Sequence, residues 1–303
     1  MNETKKILIL GSEGFIGSHA VRYFQDRGYQ VFKADIVLKQ ENQYFLINPE
    51  ALDFKTIFLS QVFDYCINAT GAANVQLSYA HPNLDYTLNV ANVHNILNCI
   101  RLYSPECKFI NLSSAAVYGN PKTLPISETN ATQPLSPYGY HKWFSELVCL
   151  EFYELFKIQT LSVRIFSAYG PGLKKQIFWD LYEKALKTSN KKVQILGTGM
   201  ESRDFIYVED IVHALEIILT REIFTGQKLN IATGVETSIQ DASSMFFKLF
   251  NPEIALSFTG STKEGDPINW RADIQVLSNL GFKTEYSLEQ GLEKTTTWLK
   301  SIR

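Results

Sequence analysis

Residues 6–17 read Lys-Ile-Leu-Ile-Leu-Gly-Ser-Glu-Gly-Phe-Ile-Gly, and this stretch decides the fold of the chain. Its first half is a short, mostly apolar run of the kind that builds a buried strand. Three glycines follow, and apolar residues at helical spacing continue to Gly28. A strand, a glycine-rich turn and a helix in this order predict a phosphate site. Glycines let the backbone approach the anion, and the start of the helix offers free N–H groups.

An acidic residue ends the next predicted strand. Gln30 to Ala34 is a second strand-like run, and Asp35 follows it, about 20 residues beyond the glycines as a ribose-binding carboxylate requires. Such a carboxylate accepts hydrogen bonds from both ribose hydroxyls of an adenosine and repels a 2′-phosphate. The sequence therefore favours NAD over NADP. An ordinary turn aspartate at a strand end is the alternative interpretation of Asp35.

Strand and helix patterns alternate along the first part of the chain. Further strands are expected at 44–47, 64–69, 108–112 and 160–166, with helices opening at 49, 81 and 137. This alternation implies right-handed crossovers and a parallel sheet covered by helices on both faces. Ligands of such sheets bind at the carboxyl ends of the strands. The turn at Thr70-Gly71 and the strand end at Ser114 therefore lie where a ligand is expected.

The pattern changes after Gly172. Helices are expected at 175–187, 211–219, 239–250 and 288–299, and strands at 193–196, 203–208 and 229–232. We therefore divide the chain into an NAD-binding domain, residues 1–166, and a smaller mixed α/β region, residues 167–303. Parts of the second region are expected to return to the main sheet.

A Tyr-x-x-x-Lys pair, Tyr138 and Lys142, lies at the start of a long apolar-periodic helix. Pro137 suits the first helical turn, and residues four apart share a helix face. A lysine charge held close to a phenol lowers the phenol pKa from about 10, so the tyrosine can act as a general base near neutral pH. Tyr140 is a poorer candidate, because it is only two positions, about half a helical turn, from Lys142. By itself the pair is also typical of a solvated helix start.

Composition and charge exclude several classes of partner. The 303 residues are 45% hydrophobic and carry a net charge of −2 with no basic block, which disfavours nucleic-acid binding. The cysteines are widely spaced and lie in apolar segments, so they predict reduced thiols of a cytoplasmic protein without a disulfide frame or metal site. The N-terminal apolar run is too short for a signal peptide, and no stretch reaches membrane-spanning length.

In order and position, these signals resemble the extended short-chain dehydrogenase/reductase family. More narrowly they are similar to its NAD-dependent nucleotide-sugar epimerase/dehydratase branch, which includes UDP-glucose 4-epimerase. The resemblance covers nearly the whole chain, with further similar blocks at 113–119, 164–172, 203–210 and 265–267. It implies an α/β fold with a Rossmann-type doubly wound parallel sheet.

The resemblance also implies roles for individual residues. Three are implied to be catalytic: Ser114, Tyr138 and Lys142. The implied cofactor-binding residues are Gly11, Gly14, Phe15, Ile16, Gly17, Asp35, Ala69, Thr70, Gly71, Asn89, Ser113, Tyr138, Lys142 and Phe166. The implied substrate-binding residues are Ser114, Ser167, Arg203 and Arg271, with the arginines on a diphosphate. Read without the resemblance, Asn89 is either a surface residue or a buried one that hydrogen-bonds a neighbouring strand or loop.

The implied activity is C4 epimerisation of a nucleoside-diphosphate hexose through a transient 4-keto sugar. Tyr138 would take the proton of the C4 hydroxyl, Ser114 would relay it, and Lys142 would lower the tyrosine pKa and hold the nicotinamide ribose. Dehydratases and decarboxylases of the branch carry acidic residues just after the catalytic hydroxyl residue. Ala115 and Ala116 stand there in this chain and cannot supply an acid.

Two alternative functions stay open on the sequence. One is an NAD(P)H-dependent reductase of a nucleotide-4-keto-6-deoxysugar, which would use the same residues. The other is a non-catalytic NAD-binding scaffold. Two departures from the family pattern are Ser167, where asparagine is common, and the short segment 39–62, which leaves the adenine pocket poorly defined.

The resemblance finally implies a homodimer through helices at 82–102 and 138–156. Both helices carry many apolar residues, which are Leu84, Leu88, Val93, Leu97, Phe144, Leu147, Leu150 and Phe152. The sheet of a single chain could equally cover these residues.

Overall fold

The computed structural model describes residues 4–48, 52–221, 223–261 and 267–302. The strands in chain order are β1 (Lys6–Leu10), β2 (Gln30–Asp35), β3 (Tyr44–Leu46), β4 (Tyr65–Asn68), β5 (Lys108–Ser114), β6 (Thr160–Ile165), β7 (Ser167–Tyr169), β8 (Lys192–Ile195), β9 (Ser202–Arg203), β10 (Phe205–Tyr207), β11 (Thr225–Ile231), β12 (Thr237–Ser238) and β13 (Ala255–Phe258).

Helices occupy most of the intervening chain. They are α1 (Phe15–Asp26), α2 (Lys55–Ser60), α3 (Val75–Ala80), α4 (Pro82–Tyr86), α5 (Asn92–Tyr103), α6 (Pro137–Phe156), α7 (Gln176–Lys187), α8 (Val208–Leu219), α9 (Ile239–Phe250), α10 (Gln275–Asn279) and α11 (Leu288–Ser301). A π-helical turn, Thr87–Ala91, joins α4 to α5, and a 3-10 turn, Ala115–Tyr118, follows β5.

Seven strands form one parallel sheet in the order β11-β6-β5-β4-β1-β2-β3. The chain leaves β1 in one direction to β2 and β3 and returns on its other side to β4, β5 and β6. The strand order therefore reverses beside β1, and a doubly wound sheet opens a ligand-binding crevice at that point. The predicted fold class is confirmed.

The alternation of side chains along β1 divides the core into two layers. Ile7 and Ile9 pack in one apolar cluster, under α1 and α8. Leu8 and Leu10 pack in a second cluster, under α5 and α6. All four residues are completely buried, because successive side chains of a strand point to opposite faces and helices cover both.

The later part of the chain adds small sheets and a third apolar cluster. Strand β7 pairs with β10, β8 with β13 and β9 with β12. Aromatic residues dominate the cluster, including Tyr169, Phe178 and Phe246. Strand β11 pairs with β6 in the main sheet, as expected for a region that returns to it. The domain division at residue 166 stays a prediction.

Several predicted elements differ in extent. The helix expected at 49–62 is α2 alone, and residues 49–51 lie outside the described residues. The strand expected at 203–208 is divided into β9 and β10, because the buried Asp204 between them binds neighbouring loops. Helix α3 was not predicted, although Asn74 caps it by accepting a hydrogen bond from the Leu77 N–H at 3.0 Å.

Two findings concern the described residues as a whole. None of their helices combines the length and the apolar composition that crossing a bilayer requires. Within the same residues, no group of three or more His, Cys, Asp and Glu side chains converges into a potential metal site.

Candidate active site

The glycine turn packs backbone against backbone at the carboxyl ends of β1 and β4. Gly11 has φ +80°, and a Cβ placed on it would lie 2.7 Å from the Ala69 carbonyl oxygen. A Cβ on Gly17 would lie 2.0 Å from the Gly11 carbonyl oxygen. These contacts exclude side chains at both positions, so the backbone and the start of α1 form a bare cradle. Such a cradle fits a dinucleotide pyrophosphate.

Phe15 and Ile16 begin α1 beside this cradle. Their side chains are partly buried against the apolar cluster of the later region, and the Phe15 ring meets His19 edge-on at 5.7 Å. The side chains thus tie the two parts of the chain together. Because the side chains are used for packing, only the main-chain N–H groups of these two residues at the helix start can bind an anion.

The Asp35 carboxylate is held by backbone N–H groups at the end of β2. One oxygen accepts a hydrogen bond from the Glu13 N–H at 2.9 Å, and the other accepts from the Ile36 N–H at 2.7 Å. The residue is buried beside the glycine turn. A carboxylate fixed in this way can still accept from ribose hydroxyls with its remaining lone pairs, and its charge opposes a 2′-phosphate.

Asn89 holds the turn after β4. Its amide nitrogen donates to the Ala72 carbonyl oxygen at 3.1 Å and to the Asp85 carboxylate at 3.2 Å. The side chain is buried, so the second interpretation of this asparagine is confirmed. Among the described residues its amide oxygen has no hydrogen-bond partner. A Cβ on Gly71, where φ is +105°, would lie 2.5 Å from that oxygen, which explains the glycine.

Thr70 lies in the same turn. Its hydroxyl donates to the Asn68 side chain and accepts from the Asn92 amide nitrogen at 2.7 Å. The turn from Ala69 to Gly71 is therefore fixed by side chains of β4 and α5 before any ligand binds.

Ser114, Tyr138 and Lys142 converge where β5 ends and α6 begins. The Ser114 hydroxyl interacts with the Tyr138 phenol and lowers its pKa, and the Lys142 ammonium donates to the Leu112 carbonyl oxygen at 2.9 Å. Gly139 makes this approach feasible, because a Cβ on it would lie 2.8 Å from the Ala116 carbonyl oxygen. The predicted catalytic residues are thus brought together.

The two ionisable groups are perturbed in opposite directions. Burial, opposed by the Ser114 hydrogen bond and reinforced by the Asp85 charge, raises the pKa of Tyr138 to about 12. Burial lowers the pKa of Lys142 to about 8, with the Asp85 charge opposing and the Lys175 charge reinforcing that change. The expectation that Lys142 lowers the tyrosine pKa is therefore wrong for the chain without ligands. Desolvation of the phenol outweighs it, and the ammonium is directed to the Leu112 carbonyl.

Two predicted cofactor residues have side chains committed to the core. The Ser113 hydroxyl donates to Glu146 at 2.6 Å, and Glu146 pairs with the buried Arg164, also at 2.6 Å. The Phe166 ring packs edge-on against Trp270 at a centroid distance of 6.0 Å. Neither side chain is free to bind a cofactor, so any such contact is left to their backbones.

The buried Asp204 connects the two candidate substrate arginines. Its carboxylate accepts hydrogen bonds from the Thr233 N–H at 2.9 Å and the Ala272 N–H at 3.1 Å. Arg203 precedes Asp204 and Arg271 precedes Ala272, so one carboxylate fixes both backbones. The Arg203 guanidinium lies over the Trp270 ring at 5.4 Å and donates to the Ile268 carbonyl oxygen at 3.2 Å.

Ser167 and the block at 265–267 complete the predicted substrate end. Ser167 is partly buried in β7, and its N–H donates to the Asp204 carbonyl oxygen at 3.0 Å. Gly265 and Asp266 lie outside the described residues. The sequence analysis did not predict that Asp204 fixes both arginine-bearing segments, although the residue lies inside the family-like block at 203–210. Its hydrogen-bond partners are distant in the chain, and no local pattern indicates them.

A glycine cradle, a buried carboxylate at the end of β2 and a Ser-Tyr-Lys group on a doubly wound sheet are the features of a nucleotide-binding enzyme of the extended short-chain dehydrogenase/reductase class. The chain belongs to the NAD dependent epimerase/dehydratase family, whose model matches residues 7–232. NAD is the cofactor of this family, and the cradle and Asp35 fit it.

Several named proteins are similar to this chain over nearly its full length. A putative UDP-glucose 4-epimerase of Methanocaldococcus jannaschii is 30% identical over 97% of this chain and 98% of its own length. A UDP-glucuronic acid 4-epimerase of Bacillus cereus, solved with UDP-glucuronic acid and NAD, is 26% identical with a TM-score of 0.87, covering 98% of this chain and 100% of its own. A dTDP-D-glucose 4,6-dehydratase of Mus musculus is 24% identical over 98% of this chain and 89% of its own length.

Proposed function

We propose that this protein is a nucleoside-diphosphate hexose 4-epimerase that keeps NAD bound throughout its cycle. The observation that carries the proposal is that Ser114, Tyr138 and the buried Lys142 converge where β5 ends and α6 begins. Ala115 and Ala116 follow Ser114 directly and supply no acid, which argues against loss of water from the sugar. Relatives named as 4-epimerases, matched over nearly their whole length, support it further.

In this mechanism Tyr138 takes the proton of the C4 hydroxyl and later returns it, while Ser114 hydrogen-bonds the same oxygen. Bound NAD supplies the acceptor and donor of the C4 hydride and a positive charge on its nicotinamide ring. Because the pKa of Tyr138 is about 12 without ligands, its activation depends on positive charge close to the phenol. Lys142, on the next turn of α6, would supply part of this charge in the ligand-bound protein, although its ammonium donates to the Leu112 carbonyl without ligands.

Arg203 and Arg271 would hold the diphosphate while the sugar turns to present its other face. Guanidinium groups suit this task, because their donors match phosphate oxygens in pairs. Asp204 would position both arginines through their neighbours in the chain.

The test is to extract freshly purified protein and assay the extract for NAD(H) and NADP(H), then to incubate the protein with UDP-hexoses. We expect retained NAD and slow equilibration of C4 epimers without net change in nicotinamide absorbance. Protein that retains no cofactor but oxidises added NADPH with a 4-keto sugar nucleotide would instead establish the reductase.

We further propose that the protein is a cytoplasmic homodimer that pairs through the helices at 82–102 (α4 and α5) and 138–156 (α6). Tyr86, Tyr140 and Leu147 are each 44–46% exposed on α4 and α6, and a second copy would cover these apolar side chains. Val93, Leu97 and Phe152 are buried inside the chain instead and belong to its own core. Light scattering that gave a monomeric mass would contradict the dimer.

A further inference from the structure

Lys175 extends from the later region of the chain to the carboxyl edge of the main sheet. It immediately precedes α7, and its ammonium donates to the Ala73 carbonyl oxygen at 3.2 Å, across 102 residues of sequence. Ala73 ends the turn that begins at Ala69 and is held by Asn89. The lysine therefore reaches the carboxyl end of β4, which lies beside the β5 strand that ends at Ser114, and both Lys175 and Ala73 are exposed to solvent.

The contacts of this turn lead to a second ammonium, that of Lys142, because Asn89 donates to Asp85 and Asp85 pairs with His141, the residue before Lys142. Burial is the main cause of the lowered pKa of Lys142, and the Asp85 charge opposes it. The positive charge of Lys175 lowers the same pKa further. Burial also lowers the pKa of Lys175 itself, although water reaches its side chain. In the described part of the chain no carboxylate lies within 4.0 Å of either ammonium. The nearby Asp85 carboxylate is bound to the His141 ring at 2.6 Å.

Two cations in a partly desolvated crevice favour an anion between them. The diphosphate of a sugar nucleotide has its own candidates in Arg203 and Arg271, which Asp204 fixes on other loops. An anion next to Lys142 would instead lie beside Tyr138 and therefore beside the reacting C4 hydroxyl. In a hexose, C6 is attached to C5, the ring neighbour of C4, so a C6 carboxylate is the charged group that comes close to this position.

We propose that Lys175 is a specificity-determining residue that binds the C6 carboxylate of a nucleoside-diphosphate hexuronic acid, an inference that rests on the proposed 4-epimerase function. Substrate binding exchanges the neutral Ala73 carbonyl for a carboxylate as the partner of the ammonium. The ammonium is charged with either partner, but only the carboxylate adds Coulomb attraction between full opposite charges, which is strongest where water is partly excluded, so the exchange favours the uronate over the neutral hexose.

The experiment measures calorimetric affinities of the NAD-loaded protein for UDP, UDP-glucose and UDP-glucuronate. We expect the unmodified protein to bind UDP-glucuronate at least about tenfold more tightly than UDP-glucose. Lys175→Met should weaken UDP-glucuronate binding by about 10- to 100-fold and leave UDP and UDP-glucose unchanged. Lys175→Arg should retain most of the preference, and Lys174→Met, on the adjacent exposed lysine, should match the unmodified protein.

Three results would overturn the assignment. Equal weakening for UDP, UDP-glucose and UDP-glucuronate would place the ammonium on the diphosphate. Loss of retained NAD from Lys175→Met would place it on the cofactor. Unchanged selectivity would show that Lys175 binds no part of the substrate.

These outcomes are separate from failure of the proposed function. A protein that binds UDP-glucuronate through Lys175 but produces no C4 epimer from any UDP-sugar would retain the specificity residue and refute the epimerase. A protein that epimerises UDP-glucose, and whose preference among UDP-sugars is unchanged by Lys175→Met, would support the epimerase and refute the specificity residue.

Discussion

Under the proposed function the active site has a cofactor end at Asp35 and a reacting end at Lys142, and the two ends treat buried charge in opposite ways. Asp35 at the cofactor end is buried with its carboxylate accepting several backbone N–H groups. Lys142 at the reacting end is equally buried, yet it donates to a neutral carbonyl and its pKa falls to about 8. The Asp35 carboxylate is satisfied by hydrogen bonds before any ligand binds. The Lys142 ammonium instead carries an uncompensated desolvation penalty, which an anionic ligand can relieve.

The difference shows how one sheet edge serves both binding and chemistry. Satisfied hydrogen bonds make the cofactor end rigid and selective. Under-compensated groups at the reacting end keep perturbed pKa values, which proton transfer requires. Such sites trade stability for activity, and substitutions at the two ends should therefore affect different measurements.

The largest effect is expected from Tyr138→Phe at the reacting end. Loss of the general base should lower kcat by about 10³-fold, while retained NAD and thermal stability stay close to those of the unmodified protein. Tyr140→Phe is the matched control, because Tyr140 is on the same helix turn but 44% exposed, and it should have near-normal kcat. Comparable losses in both variants would refute the assignment of the base.

Gly17→Ala should break the cofactor end. The new Cβ would lie 2.0 Å from the Gly11 carbonyl oxygen, so the turn must move and the purified protein should lose its bound NAD. Gly28→Ala controls for glycine loss alone, since its Cβ would meet no atom within 4 Å although φ is +80°. That control should cost only about 1 kcal/mol of stability and retain NAD, as measured in extracts and by thermal unfolding.

Lys142→Met should stabilise the NAD-stripped protein in a pH-dependent way. The pKa of Lys142 is about 8 in the fold, below its unfolded reference of about 10.4. The charged lysine therefore lowers the free energy of unfolding below about pH 8, and this penalty fades as the pH rises from about 8 to about 10.4.

We accordingly expect the variant to gain about 1–3 kcal/mol at pH 7 and little at pH 10, measured by urea unfolding. A loss of stability at both pH values would show that the hydrogen bond to the Leu112 carbonyl outweighs the cost of the buried charge.

The smallest effect is expected from Asp35→Asn. This variant tests the cofactor end by removing a negative charge that backbone N–H groups already stabilise. Neutralising the carboxylate relieves repulsion of a 2′-phosphate, so the ratio of NADP to NAD affinity should rise about tenfold. Glu13→Gln is the control, since that nearby carboxylate is paired with Lys39 at 2.6 Å and is not expected to contact ribose. An equal shift in both variants would indicate general surface charge instead of a specific ribose contact.

The features that were predictable share one property, which is that their partners are close in sequence. Side-chain periodicity and short motifs predicted three of them, which are the glycine turn, the strand end at Asp35 and the Tyr138–Lys142 pair. The π-helical turn at 87–91 and the division of the strand at 203–208 were missed. Each depends on contacts with distant segments, such as those of Asn89 with Ala72 and of Asp204 with Ala272.

The direction of the tyrosine pKa illustrates the same limit. Residues four apart on a helix predict proximity of Tyr138 and Lys142, but not whether the phenol is desolvated or where the ammonium points. Burial against β5 and the 3-10 turn decides the first, and the Leu112 carbonyl decides the second.

By itself the sequence determined the parallel α/β sheet and the cofactor class and predicted the Ser114-Tyr138-Lys142 group, because hydrophobic periods and short motifs encode elements and their ends. Only the tertiary structure decided how charge is compensated. It brought Lys175 onto the turn after β4, joined the two arginines through Asp204 and committed Ser113 to Glu146. Electrostatic energies depend on distances and desolvation in space, and a linear spacing specifies neither.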